Sequence, residues 1–73
     1  MKVSTVYRQT AAAAIAAHVA GEPEQYGVRA WRQWLIVGVF GHWYAVRKDD
    51  PAAAPRMYLC SLAQAKANLM AGY

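Results

Sequence analysis

The segment from Trp34 to Lys48 constrains the fold most, because it is apolar on both faces of a predicted β-hairpin. Two runs of β-branched and aromatic residues flank Gly41-His42, a pair suited to a two-residue turn that needs a positive φ. Half-buried strands normally alternate apolar with polar residues. One face of this hairpin is expected to cover the core. The other must be covered by the chain's own helices, a second copy or a partner.

Length and composition predict a single small α+β domain over residues 1–73. A chain of 73 residues is near the lower end of what folds alone, since it buries only about 60% of its unfolded surface. Its hydrophobic share is 58%, above the usual share of about 45–50%. Such an apolar excess on a short chain favours self-association or a permanent partner surface.

An alanine-rich helix is predicted over residues 4–20. Ser4 or Thr5 can cap its first turn, and Gly21 followed by Pro23 is a typical stop signal. An alternative interpretation makes residues 2–7 a strand and begins the helix later. Helical spacing places one set of side chains on a common face: Tyr7, Ala11, Ala14, Ile15, His18 and Val19.

A second helix is predicted at the C-terminal end of the sequence, with Ser61 as its N-cap and Gly72 beyond its last turn. Its apolar stripe comprises Leu62, Ala65, Leu69 and Met70.

Three antiparallel strands are expected between the helices, at residues 28–40, 43–48 and 56–60. An alternative interpretation begins the first strand later, because residues 29–34 are also compatible with a helical turn. Gly38 indicates a bulge or a close approach of another group. With a Gly41-His42 turn, the facing pairs are Phe40–Trp43, Val39–Tyr44, Gly38–Ala45 and Val37–Val46.

The expected architecture is therefore helix, three-stranded sheet, helix, with both helices on one face of the sheet. That face carries Leu35, Val37, Val39, Tyr44 and Val46. The opposite face, with Trp34, Ile36, Phe40, Trp43 and Arg47, then has no helix to cover it. This uncovered aromatic face is the main argument for a partner.

The residue pattern predicts no enzyme, no metal site and no cofactor. His18, His42 and Cys60 lack the paired spacing of metal ligands. Cys60 precedes a predicted helix, but we expect it to be a small buried apolar residue and not a nucleophile. The pair Asp49-Asp50 reads as a turn that compensates the charge of Arg47 and Lys48, and the dispersed glycines form no phosphate-binding loop.

The formal net charge of +4 is compatible with nucleic acid, an acidic protein surface or anionic lipid. A single cysteine excludes an intramolecular disulfide, and no signal peptide or spanning segment is recognised. We therefore expect a cytoplasmic protein with no membrane partner.

Two binding functions compete for the uncovered face. Trp34, Phe40, Trp43 and Arg47 are typical of a protein-binding hot spot, with Arg29 and Arg32 at its edge. The leading hypothesis is docking on a larger protein or nucleoprotein complex. The same residues also suit a stacking platform for nucleic acid. A symmetric homodimer that buries Trp34, Phe40 and Trp43 is the third prediction.

Two stretches, Gly41–Val46 and Tyr58–Lys66, resemble a hairpin, strand and Ser-Leu-x-x-Ala-Lys helix common in very small phage and mobile-element proteins. Some anti-CRISPR proteins have this size and style. The resemblance implies a non-catalytic protein that inhibits a larger complex by occupying its surface. Because this chain is basic, it implies direct blocking rather than mimicry of DNA.

Tyr44–Lys48, then Tyr58 and an ending Ala71-Gly72-Tyr73, are similar to the hybrid-binding domain of ribonuclease H. That family has glycines where residues 49–55 lie and an aromatic residue near Leu62. This chain has neither, so the resemblance assigns RNA–DNA hybrid binding to no residue.

Overall fold

The computed structural model describes residues 3–59 and 61–72, which form two helices and a four-stranded antiparallel sheet. Each strand pairs with the next one along the chain. The α+β class and both terminal helices are confirmed, whereas the prediction of three strands is wrong. The elements are α1 Val3–Val19, β1 Arg29–Trp31, β2 Trp34–Val39, β3 His42–Arg47, β4 Arg56–Tyr58 and α2 Leu62–Met70.

Helix α1 follows from its alanine content, since alanine has the highest helix propensity. Residues 3–7 are helical, so the alternative strand is wrong there. Gly21, at φ 72°, ends the helix: its N–H donates to the His18 carbonyl at 3.1 Å, and the Glu22 N–H donates to the Ala17 carbonyl at 2.9 Å. No helix among the described residues is long and apolar enough to cross a membrane.

The strand expected over residues 28–40 is interrupted by a tight turn. Trp31 pairs with Trp34, so Arg32 and Gln33 connect β1 to β2. Arg32 adopts a left-handed φ of 53°. A non-glycine residue rarely takes this conformation, and so the sequence did not mark a turn here. The alternative helical turn over residues 29–34 is also wrong, because residues 29–31 pair with β2.

The turn of the central hairpin is Phe40-Gly41, not Gly41-His42. Both residues have a positive φ, 51° and 82°, as in a type I′ turn. The twist of this turn matches that of the flanking strands. The facing pairs shift accordingly, to Val39–His42, Gly38–Trp43, Val37–Tyr44, Ile36–Ala45, Leu35–Val46 and Trp34–Arg47.

Helix α1 packs on one face of the sheet, which we call the α1 face. Ile15, Val37, Val39 and Tyr44 are fully buried there. Ala11 and Ala14 are buried as predicted, and Tyr7 packs against this core. The predicted stripe is wrong at its end, because His18 and Val19 are exposed. The sheet residues of this core are the five predicted: Leu35, Val37, Val39, Tyr44 and Val46.

Helix α2 packs on the opposite face, which we call the α2 face, so the prediction that both helices share one face is wrong. Ala65 and Leu69 are buried in one cluster with Trp34, Ile36, Ala45 and Tyr58, and Leu62 packs against it. Met70, predicted in the same stripe, is 64% exposed. The aromatic face of the hairpin is therefore covered by the chain's own C-terminal helix.

The last strand is shorter than predicted, because β4 ends at Tyr58 and Leu59 is exposed. Cys60 lies outside the described residues. Ser61 caps α2 as expected, its hydroxyl oxygen accepting the Gln64 N–H at 3.2 Å.

Candidate functional site

The sheet register places two rows of side chains on the α2 face. Arg29, Ile36, Ala45 and Arg56 lie opposite one another across all four strands. Helix α2 covers the centre of this row, since Ile36 and Ala45 are each 1% exposed. The two arginines at its ends are exposed, one at each edge of the sheet. The neighbouring row contains Trp31, Trp34 and Arg47.

Five basic side chains on this side lie beside tryptophan rings, at distances typical of cation–π contacts. We call them the basic cluster: Arg29, Arg32, Arg47, Arg56 and Lys66. The distance from the cationic centre to the ring centroid is 6.0 Å for Arg29 and Trp43, 5.1 Å for Arg32 and Trp31, 5.4 Å for Lys66 and Trp31, 5.6 Å for Arg47 and Trp34, and 5.1 Å for Arg56 and Trp34.

Trp43 reaches Arg29, two strands away, because Gly38 lies between them. A Cβ built on Gly38 would lie 2.9 Å from Cζ3 of the Trp43 ring. The ring therefore occupies the space above the glycine. Gly38 permits a close approach of another side chain, one of the two predicted reasons for a glycine in this strand.

Two carboxylates lie near the basic cluster. Asp49 accepts the Arg47 Nε–H at 3.1 Å, as expected from its charge compensation. This bond lowers the pKa of Asp49 and raises the pKa of Arg47. Asp50 lines a cavity of about 210 Å³ with Arg47, Arg56 and Trp34. Among the described side chains, five cations against two carboxylates give this side a positive balance.

The other two acidic residues lie in the connector between α1 and β1. Glu24 contacts His18 Nδ1 at 3.1 Å and accepts the Val28 backbone N–H. It therefore holds the connector against the end of α1. Glu22 follows Gly21 at the same helix end.

The predicted site residues do not form one surface. Trp34 is only 8% exposed, and Trp43 is half-buried on the same side. The predicted Arg29, Arg32 and Arg47 belong to the basic cluster. Sequence reasoning missed Trp31, Arg56 and Lys66, because the β1–β2 turn, the pairing of β4 with β3 and the position of α2, respectively, bring them to this side.

Phe40 lies apart from the other predicted residues. It occupies the hairpin turn, 55% exposed, on the α1 side of the sheet. Its ring centroid is 4.6 Å from Tyr7 and 6.0 Å from Tyr26, and His42 lies 5.5 Å from Tyr7. We call these four residues the aromatic tip.

Two buried polar atoms near the aromatic tip, Nδ1 of His42 and the hydroxyl of Tyr44, have no hydrogen-bond partner among the described residues. Burial raises the pKa of Tyr44, and Arg8 opposes that shift. Within residues 3–59 and 61–72, no three His, Cys, Asp or Glu side chains cluster in a way that could hold a metal ion.

Comparisons of the chain with protein-family models, curated proteins and solved structures found no match.

Proposed function

We propose that this protein is a non-enzymatic binding protein that docks on nucleic acid, free or within a nucleoprotein complex, through the basic cluster. The observation that supports this most is the gathering of five of the eight Lys and Arg residues on the α2 side. A surface that neutralises several phosphates gains affinity by releasing their counterions. The sequence alone gave no preference for nucleic acid, because its basic residues are dispersed along the chain. The fold brings five of them to one side.

The mode of binding differs from the expected stacking platform. Helix α2 covers Trp34, so this ring is not open to a base. The half-buried Trp31 and Trp43 each lie beside a cation. The rings hold the basic side chains in place, and the cations are the groups that would meet phosphate.

The test is a titration of labelled duplex and single-stranded oligonucleotides over a salt series. Removal of two cluster charges, Arg29→Gln with Arg32→Gln, should weaken binding and reduce the slope of log K against log salt by about 1.8 for duplex DNA. The matched control removes two charges outside the cluster, Arg8→Gln with Lys48→Gln, and should leave the slope almost unchanged. No binding of either oligonucleotide at low salt would refute the proposal.

A second candidate function is docking on a protein through the aromatic tip. Its basis is Phe40, an exposed aromatic residue at a turn position that favours Asn or Gly. Strained conformations persist where the surrounding structure holds them, and they cluster at functional sites. The uncovered sheet face, which first suggested a protein partner, does not exist in the structure.

Phe40→Asn separates the two functions, because asparagine suits the turn and removes the ring. A protein captured from lysate by the unmodified chain and by the Arg29/Arg32 variant, but not by Phe40→Asn, would assign docking to the tip. Equal capture by Phe40→Asn would refute this candidate. Inhibition of a larger complex, which the anti-CRISPR resemblance implies, stays a prediction for whichever partner is identified.

A further inference from the structure

We infer that the partner of the basic cluster is duplex DNA and that α2 enters its major groove, where Gln64 and Asn68 contact base edges. This inference rests on the proposed nucleic-acid binding and adds the class of nucleic acid and the residues that read it. It follows from the outer surface of α2 and from the charges around it.

The outer surface of α2 is uncharged, and its side chains are small apart from Met70, which is 64% exposed in the last turn. With Ala65 and Leu69 facing the sheet, helical periodicity places Ala63 and Ala67 outermost, and both are exposed. Alanine side chains allow a close approach and can contact the methyl group of thymine. The nine residues of the helix contain no acidic side chain to repel phosphate.

One flank of this surface carries two amides one helical turn apart. Gln64 Nε2 donates to Asn68 Oδ1 at 3.2 Å, which orients both side chains. The Gln64 carbonyl oxygen and the Asn68 amide nitrogen remain outside that bond. One acceptor and one donor match the N6 amino group and N7 of adenine in the major groove.

The dimensions of the helix and the sheet fit the duplex. An α-helix with its side chains is about 10–12 Å in diameter, and the major groove is about 12 Å wide. Arg29 and Arg56 lie on strands three spacings apart, about 14 Å. Basic side chains thus lie beyond the footprint of α2 at both edges of the sheet, and Lys66 lies on the second flank of the helix. Phosphates on both sides of a groove occupied by α2 would meet positive charge.

A single strand fits this surface less well. Its recognition depends on aromatic rings open to stacking, and α2 covers the sheet where those rings lie. What protrudes toward a ligand is a helix with amides, alanines and Met70. An α-helix fits the major groove of B-form DNA.

The experiment selects duplexes that bind the full chain from a pool with a randomised central segment, and then measures affinity for the enriched and the unselected duplexes. The enriched duplex should bind tighter than the pool. Gln64→Ala and Asn68→Ala should each lower affinity for the enriched duplex about tenfold, with little change for the pool. Gln9→Ala, which removes an exposed amide from α1, should change neither. Circular dichroism of each variant confirms the fold.

A second measurement identifies the groove. Replacing the contacted adenine by 7-deazaadenine removes only the major-groove N7 and should weaken binding by the unmodified chain but not by the variant that lost the contact. Salt-dependent binding without any enriched sequence, or an unchanged affinity of Gln64→Ala and Asn68→Ala, overturns the inference and leaves the proposed function standing. Tighter binding of a single strand than of duplex also overturns it. If the chain binds neither duplex nor single-stranded oligonucleotides, both this inference and the proposed function are refuted.

Discussion

At Gly38 there is no room for a side chain, because the nearest atom of the Trp43 ring lies 2.9 Å from the position of a Cβ. We expect Gly38→Ala to lower the free energy of unfolding by about 1–3 kcal/mol, because the ring must move or the strand must shift. Urea denaturation measures this loss. In a Trp43→Leu background, Gly38→Ala should lower the free energy of unfolding much less, because the rigid ring is absent. An equal loss in both backgrounds would show that Trp43 is not the cause.

The Tyr44 hydroxyl is buried and has no hydrogen-bond partner within residues 3–59 and 61–72. Tyr44→Phe removes this polar group while keeping the ring, so we expect it to raise the free energy of unfolding by about 1 kcal/mol. A loss of stability in urea denaturation would indicate that the hydroxyl makes a favourable contact after all.

The same residue predicts a dependence on pH. Burial raises the pKa of Tyr44 in the folded state above its value near 10. The folded chain therefore holds this proton more tightly than the unfolded chain does. The resulting stability is present below about pH 10 and is lost as the pH rises through the folded-state value. Denaturation midpoints measured above pH 10 should fall less steeply for Tyr44→Phe, and parallel profiles would contradict this.

Phe40 shows where residue-level prediction failed. The sequence predicted a Gly41-His42 turn, because a phenylalanine with a positive φ is rare. The true turn keeps Gly41 and replaces His42 by Phe40, which moves the aromatic ring from the α2 face to the tip.

At the scale of elements, the hairpin faces were predicted correctly, apart from Phe40, although the turn was misplaced. Moving a two-residue turn by one position keeps each strand's alternation, so Val37 and Tyr44 stay on the same face. The inward stripe of α2 was also predicted, except at Met70, which is exposed. The face of the sheet on which α2 packs was not predicted, because an apolar stripe on a helix does not specify which face it covers. The sequence did hold a signal for one helix on each face, because a sheet that is apolar on both faces needs a cover on each of them.

The attachment of α2 depends chiefly on Leu69, which is 4% exposed in the cluster with Trp34 and Ile36. We expect Leu69→Ala to lower the free energy of unfolding by about 2–5 kcal/mol. The adjacent Met70 is a matched control, because it is 64% exposed. Met70→Ala should change stability by less than about 0.5 kcal/mol in the same denaturation experiment. Similar losses for both variants would contradict the packing of α2.

At the scale of the whole molecule, the covered α2 face removes the reason for a dimer through Trp34, Phe40 and Trp43. Trp34 is buried within the chain, and Phe40 lies on the other side of the sheet. We expect a monomer. Light scattering at micromolar concentration should give a mass near 8.1 kDa, and a mass twice as large would contradict this.

The charge distribution is also a property of the whole fold. The cations of the basic cluster are spread between positions 29 and 66 of the sequence. The sequence pattern placed Arg29, Arg32 and Arg47 in one predicted site. Only the four-strand register and the return of α2 over the sheet add Arg56 and Lys66 to them.

All three tryptophans lie on the α2 side, and each is next to at least one cation. The α1 side has none among the described residues. Intrinsic fluorescence excited near the red edge of protein absorption therefore reports on one side of the molecule alone. A ligand that draws the arginines away from the indole rings should change the emission without any attached dye, whereas a partner at the aromatic tip should leave it almost constant.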